Sequence, residues 1–119
     1  PHYIAPRAKV QRALLTEGST IYGDVEHSIL FANVIVEQGA VIKDSIIMPG
    51  THIKAGATVS NAIIAENVVI GEGAVIGEER QEGQLDAVTV IGEDCIIKPG
   101  VFIKAGEMVD AEIINKEEK

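Results

Sequence analysis

The side chains best suited to acid-base or metal chemistry in this sequence are three histidines, His2, His27 and His52. A catalytic zinc centre of the usual kind takes three converging protein ligands. His2 stands at the start of the chain, and the 25-residue separation of His27 and His52 is not a whole number of the repeat described below. No common metal is therefore expected. A general base needs only one histidine, and His52 is the candidate, because it lies inside the most regular stretch of the sequence. The alternative for each histidine is a surface or corner residue. The 18 Asp and Glu residues show no spacing that pairs two for acid-base work. Gly71-Glu72-Gly73-Ala74-Val75-Ile76-Gly77 has glycines at the wrong spacing for a dinucleotide loop, and no helix follows it.

Positive charge is scarce enough to be worth locating. Arg7, Lys9 and Arg12 cluster near the start, while Lys43, Lys54, Lys98 and Lys104 each follow an aliphatic residue of the repeat. The later lysines fit the solvated outside of a sheet. Arg7, Lys9 and Arg12 are the candidate contacts for a phosphate-bearing effector or an acidic neighbouring domain. No catalytic, cofactor-binding or metal-binding residue is expected in this chain.

The elements that position these groups are set by an aliphatic residue returning every six positions, as in Leu30, Val36, Ile42 and in Ile91, Ile97, Ile103, Val109. Self-similarity at a fixed short period marks a repeat architecture. Every third step is five, as in Val10-QRAL, Val25-EHSI, Ile42-KDSI, Val59-SNAI and Val109-DAEI, so two hexads and a pentad make a seventeen-residue coil. Such a coil has three sides. Gly39, Gly50, Gly56, Gly73, Gly100 and Gly106, with Asn33, Asn67 and Asp94, fall at the corners, where a positive φ suits glycine and then Asn or Asp.

The sequence thus predicts an all-β fold, a single-stranded left-handed parallel β-helix with triangular coils of about 17–18 residues. The handedness, an exception to the right-handed crossover preference, is taken from the similarity of the beat to hexapeptide-repeat proteins. A helical period is absent and β-branched residues dominate. Ile21-Tyr22-Gly23-Asp24 before Val25 shortens one coil by two residues, which predicts a tightened corner at Gly23-Asp24. The beat lapses over about 77–87, read as an excursion loop. Residues 49–64 and 99–114 agree at nine of sixteen places, both containing IKAG, and are expected to present the same strand and corner. The loop either bulges outward from a corner or replaces part of a coil, and the 50-residue offset between these segments favours replacement.

Composition narrows the function classes. Hydrophobic residues are 46% of the chain and aromatics 3%, which suits a narrow aliphatic prism and leaves no platform for base stacking. The net charge of −8 argues against nucleic acid or an anionic membrane as partner. No apolar run reaches the roughly 18 residues of a membrane span. A single cysteine, Cys95, cannot form an internal disulfide, and a reduced, cytoplasmic setting is expected. The chain opens at Pro1 with no initiator Met and enters the repeat almost at once, so residues 1–119 are expected to be one β-helix domain cut from a larger protein. The charged tail from Asn115 is expected to fray.

The words EG-x-x-IYG-x-VE-x-S-IL-F from Glu17 and VIKDSIIMPG from Val41, and the excursion ahead of TVIGED, resemble the C-terminal β-helix of bacterial glucose-1-phosphate adenylyltransferase, also called ADP-glucose pyrophosphorylase. The resemblance extends over nearly the whole chain. It implies a parent enzyme of glycogen synthesis that makes ADP-glucose and pyrophosphate from ATP and glucose 1-phosphate. It also implies that magnesium and ATP belong to an N-terminal nucleotidyltransferase domain outside this sequence, so that the fragment is inactive alone. The implied partners are that catalytic domain and further subunits of a homo- or hetero-oligomer, a tetramer in the family, with effectors bound near the domain junction. The first coil, Ile4 to Leu15, is expected to meet the catalytic domain. Plant members carry an activator-linked lysine after a TVI-like word. Here Gly92 follows Thr89-Val90-Ile91, so activation through that position is not expected. Two alternatives stand beside this reading: a free-standing hexapeptide acyltransferase, and the β-helix tail of a mannose-1-phosphate guanylyltransferase. Contact with a partner or effector is expected where the beat falters, at the start, at Gly23-Asp24 and from Gly77 to Ala87.

Overall fold

The computed structural model describes residues 2–78 and 87–110. Every regular element among them is a strand of two or three residues, and the strands form three parallel six-stranded sheets. None of the described residues belongs to a helix that could cross a membrane. The first face stacks Tyr3–Ile4, Thr20–Ile21, Ile35–Val36, His52–Ile53, Val69–Ile70 and Ile96–Ile97. The second stacks Val10–Gln11, Asp24–Glu26, Val41–Lys43, Thr58–Ser60, Val75–Ile76 and Phe102–Ile103. The third stacks Leu14–Leu15, Ile29–Leu30, Ile46–Ile47, Ala62–Ile64, Thr89–Ile91 and Met108–Val109. The chain visits the faces in rotation, giving six coils of the left-handed parallel β-helix that the beat predicts.

The six-residue beat becomes three inward ladders because strand neighbours point to opposite sides of a sheet. On the third face Leu15, Leu30, Ile47, Ile64, Ile91 and Val109 lie in register. Nearly all the ladder residues of the inner coils are fully buried, and each side chain of this kind contributes roughly 1.5–3 kcal/mol by leaving water. Backbone bonds between coils complete the stack, as in His52 N–H to the Val68 carbonyl at 2.9 Å and Ile35 N–H to the Thr51 carbonyl at 3.0 Å. The ladders weaken at the open first coil, where Ile4 is 37% exposed.

The corners divide into two kinds. At the hexad corners all nine turn residues expected from the sequence have positive φ, from 56° at Asn67 to 83° at Gly106. The pentad corners, between the second and third faces, carry a second left-handed column that the sequence did not announce: Arg12, His27, Asp44 and Asn61, with φ of 48–51°. Here the turn has one residue fewer, and a buried hydroxyl helps close it. Ser45 Oγ donates to the Lys43 carbonyl at 2.7 Å and accepts from Ala62 N–H at 3.2 Å, while Ser28 Oγ accepts from Ser45 N–H at 3.0 Å.

The expected tightening at Gly23-Asp24 is present. Thr20–Ile21 pairs with Ile35–Val36 at an offset of 15 residues and Asp24–Glu26 pairs with Val41–Lys43 at 17, so the corner between them is two residues short. Gly23 is needed there for space: a Cβ on it would run into the Ala40 carbonyl oxygen of the coil above.

Two expectations about the irregular part are corrected. The excursion does not replace part of a coil. Val75–Ile76 on the second face precedes Thr89–Ile91 on the third, and the pairing of Ala62 with Thr89 has an offset of 27, so ten residues are added within one pentad corner. The path of 79–86 lies outside the described residues, as does the tail from 111. The two IKAG words consequently fall on different faces, Ile53 on the first and Ile103 on the second. The insertion adds ten residues where a full coil would need seventeen, so sequence identity and structural phase part company after it.

Candidate functional site

The three candidate cations lie on one coil but do not converge. Arg7 is exposed at the corner between the first and second faces and lines a shallow groove of about 400 Å³ with Tyr3, Tyr22 and Gln38. The two tyrosine rings beside it are tilted at 55° with centroids 5.8 Å apart. Lys9 lies on the second face. Its backbone N–H donates to Asp24 Oδ1 at 3.0 Å, and it lines a separate groove of about 330 Å³ with Asp24, Glu26 and Lys43. Arg12 occupies the first pentad corner, its guanidinium 3.1 Å from Glu26 Oε2, and lines a third groove. The Arg12–Glu26 pair is exposed, and pairs of that kind contribute about 0–1 kcal/mol.

That third groove, of about 370 Å³, holds the more informative chemistry. Besides Arg12 it is lined by His27, Ser28, Asp44, Ser45 and Asn61, with Leu14, Ile29 and Ile46 along its apolar side. His27 Nδ1 is 2.6 Å from Asp44 Oδ1. Both residues stand at left-handed pentad corners of successive coils, 17 residues apart, which stacks their side chains directly. A carboxylate receiving the Nδ1–H fixes the tautomer and leaves Nε2 free to take a proton. The His27 side chain is 64% exposed, so the geometry of a base is present on an open surface.

His52, the base candidate from the sequence, lies on the outside of the first face between Ile35 and Val69. Its Nε2 bonds to Glu37 Oε2 of the coil below. It is therefore oriented by a carboxylate too, but through the opposite ring nitrogen, and it lies on a different face from the His27 corner, as their spacing implied. Both carboxylates were missed in the sequence because each partner lies about one coil away. A search at offsets of 15–17 residues would have found Asp44 for His27 and Glu37 for His52. No group of three or more His, Cys, Asp or Glu side chains among the described residues could hold a metal ion. Cys95 is buried at the corner that leads into the sixth coil, and that burial, with Asp110 adding to it, raises its thiol pKa above the ordinary range.

Residues 4–91 match the family model described as GlmU-like, C-terminal hexapeptide. The glucose-1-phosphate adenylyltransferases of Bacillus thuringiensis (strain Al Hakam) and Bacillus anthracis are each 53% identical to this chain over 53 residues, 44% of this chain and 14% of the relative. The match thus spans about one seventh of those enzymes. Among solved structures, the acetyltransferase domain of PglB from Neisseria gonorrhoeae FA1090 superposes with a TM-score of 0.72 at 27% identity, covering 94% of this chain and 55% of that one. The same domain in complex with acetyl coenzyme A superposes at 0.55 and 24% identity, a likeness of fold.

Proposed function

The chain belongs to the GlmU-like C-terminal hexapeptide family, and from that premise we propose that it is the assembly and regulatory β-helix of a sugar-nucleotide pyrophosphorylase that makes ADP-glucose from ATP and glucose 1-phosphate. The observation that carries this reading is the 53% identity to bacterial glucose-1-phosphate adenylyltransferases over 53 residues. The chemistry, with its magnesium and ATP, is assigned to a nucleotidyltransferase domain, and this chain to holding that domain and its copies in place. Arg7, beside the Tyr3–Tyr22 pair on the open first coil, is the cation best placed to meet a phosphate-bearing effector or the neighbouring domain.

The test is a chimera in which this chain replaces the matching β-helix segment of the Bacillus thuringiensis enzyme. ADP-glucose formation and the oligomeric state of the parent are expected to survive, while the chain alone releases no pyrophosphate from ATP and glucose 1-phosphate. A soluble chimera that neither assembles nor turns over rejects the reading, and so does pyrophosphate release by the chain alone.

A second reading is favoured by one specific observation, the His27–Asp44 pair on a fold shared with an acetyltransferase domain. In it, His27 Nε2 takes the proton of a hydroxyl or amine acceptor during acyl transfer. It requires saturable binding of acetyl coenzyme A by this chain and acetyl transfer lost in His27→Ala. Absence of binding at millimolar donor removes it.

A further inference from the structure

The shortened corner at Gly23-Asp24 opens a notch in the side of the prism. Between the first and second faces the first coil turns outward at Pro6-Arg7 and the third at Gln38-Gly39, but the second coil, two residues short, makes no such turn. The flanking turns are two coil spacings apart, about 10 Å. Arg7 and Gln38 bound this notch, and Tyr3 and Tyr22 carry it onto the first face as one groove of about 400 Å³ with Ala5 and Pro6. Tyr3 is 51% exposed and Tyr22 46%. Of the four aromatic residues in the chain, both tyrosines line this groove.

We propose that the notch binds a neutral hexopyranose unit of an oligosaccharide. Three features select that ligand. The tyrosine rings are set at 55° to each other with centroids 5.8 Å apart, which makes a bent platform. A flat base covers only one such ring, whereas a puckered pyranose lays its apolar C–H face across both and keeps its hydroxyls at the rim. The polar groups are of the matching kind: the Gln38 amide both donates and accepts, as a hydroxyl does, and the Arg7 guanidinium offers a fork of donors to neighbouring hydroxyls. Charge argues the same way, since Arg7 is the single cation among the described lining residues of a chain of net charge −8. The groove is open and shallow, so dissociation constants of about 1–20 mM are expected. The proposal rests on the groove alone and stands apart from the assembly reading.

The chain has two tyrosines and no tryptophan, so its intrinsic fluorescence reports on this groove. The experiment titrates the 119-residue chain with maltose, cellobiose, sorbitol and inorganic phosphate, following tyrosine fluorescence and the ring-proton shifts of Tyr3 and Tyr22. At least one disaccharide is expected to give a saturable change in both signals, while sorbitol, which has the hydroxyls without the ring, gives none. Tyr22→Ala is expected to weaken binding at least about fivefold, with Tyr22→Phe within about twofold of wild type and Lys54→Gln, farther along the first face, unchanged. Inserting Glu-Gly between Gly23 and Asp24 restores the missing turn and is expected to abolish binding; Tyr22→Ala decides the matter if that variant fails to fold. No saturable response to either disaccharide overturns the proposal, as does binding that survives Tyr22→Ala. Phosphate binding lost in Arg7→Gln, without a disaccharide response, also overturns it and leaves the effector reading of Arg7 standing.

Discussion

The second and third faces share one backbone plan and one kind of core, yet present different surfaces. Inside, Val25, Ile42, Val59 and Ile76 of the second face match Leu30, Ile47, Ile64 and Ile91 of the third, all buried. Outside, the second face mixes Lys9, Asp24, Val41 and Thr58 in its central row, while the central row of the third, Leu14, Ile29, Ile46, Ile63, Val90 and Met108, is apolar throughout. In a β-helix the inward position is fixed by the need to fill a narrow prism, whereas the outward one is left to whatever lies beyond. The difference between the faces is therefore the place to look for function, and their inward similarity the place to look for stability.

The largest effect is expected where the faces agree. Ile42→Ala and Ile64→Ala should each lose about 2–5 kcal/mol, since each opens a cavity between stacked rungs. Denaturant titration should give losses within about 1 kcal/mol of each other, and a large inequality would show that the two inner ladders are not equivalent. Gly23→Ala, at the short corner leading into the second face, should cost about 1–3 kcal/mol, because the Ala40 carbonyl must shift to admit a methyl group. Ser45→Ala, at the corner joining the two faces, should cost about 1–3 kcal/mol by leaving the buried Ala62 N–H without its acceptor, and hydrogen exchange at that amide should quicken.

Cys95 offers a smaller, pH-dependent effect. Its thiol pKa is raised in the folded chain by burial and by Asp110, so the folded state holds the proton more tightly than the unfolded one. That contribution is complete below the ordinary thiol range and is lost as pH rises through the raised value. Cys95→Val, which places the residue found at the matching Val68 of the coil below, should flatten the alkaline fall in melting temperature, and an unchanged fall would assign it to other groups. Smallest of all, Thr58→Lys on the second face should shift stability by no more than about 0.5 kcal/mol, a baseline against which any loss from a third-face substitution is read.

Much of the fold was legible in the residues. The beat named the large aliphatic ladder residues of the middle coils, though not the second buried set that includes Val34, Ala40, Ala57 and Val68, and the nine corner residues read from it all have positive φ. The shortened corner at Gly23 was legible too, because a two-residue deficit in a strict period must be absorbed at a corner if the strands on either side are to keep their ladders. The pentad corners were not read, although Asp44 and Asn61 are of types that tolerate a left-handed turn, because Arg12 at the same place in the first coil breaks the pattern. The site was less legible still: Arg7, Lys9 and Arg12 are close in sequence, but a triangular coil turns between them and gives each its own groove.

The sequence by itself determined the prism, because a six-residue aliphatic period can be buried on one side of a short strand only by a coil with three sides. Tertiary stacking decided what lies beside what. It set His27 against Asp44 and His52 against Glu37, put the two IKAG words on different faces, and gathered Leu14, Ile29, Ile46, Ile63, Val90 and Met108 into one stripe. The physical reason is that neighbours across coils are one full turn apart in the chain, and a ten-residue insertion changes which residues those are.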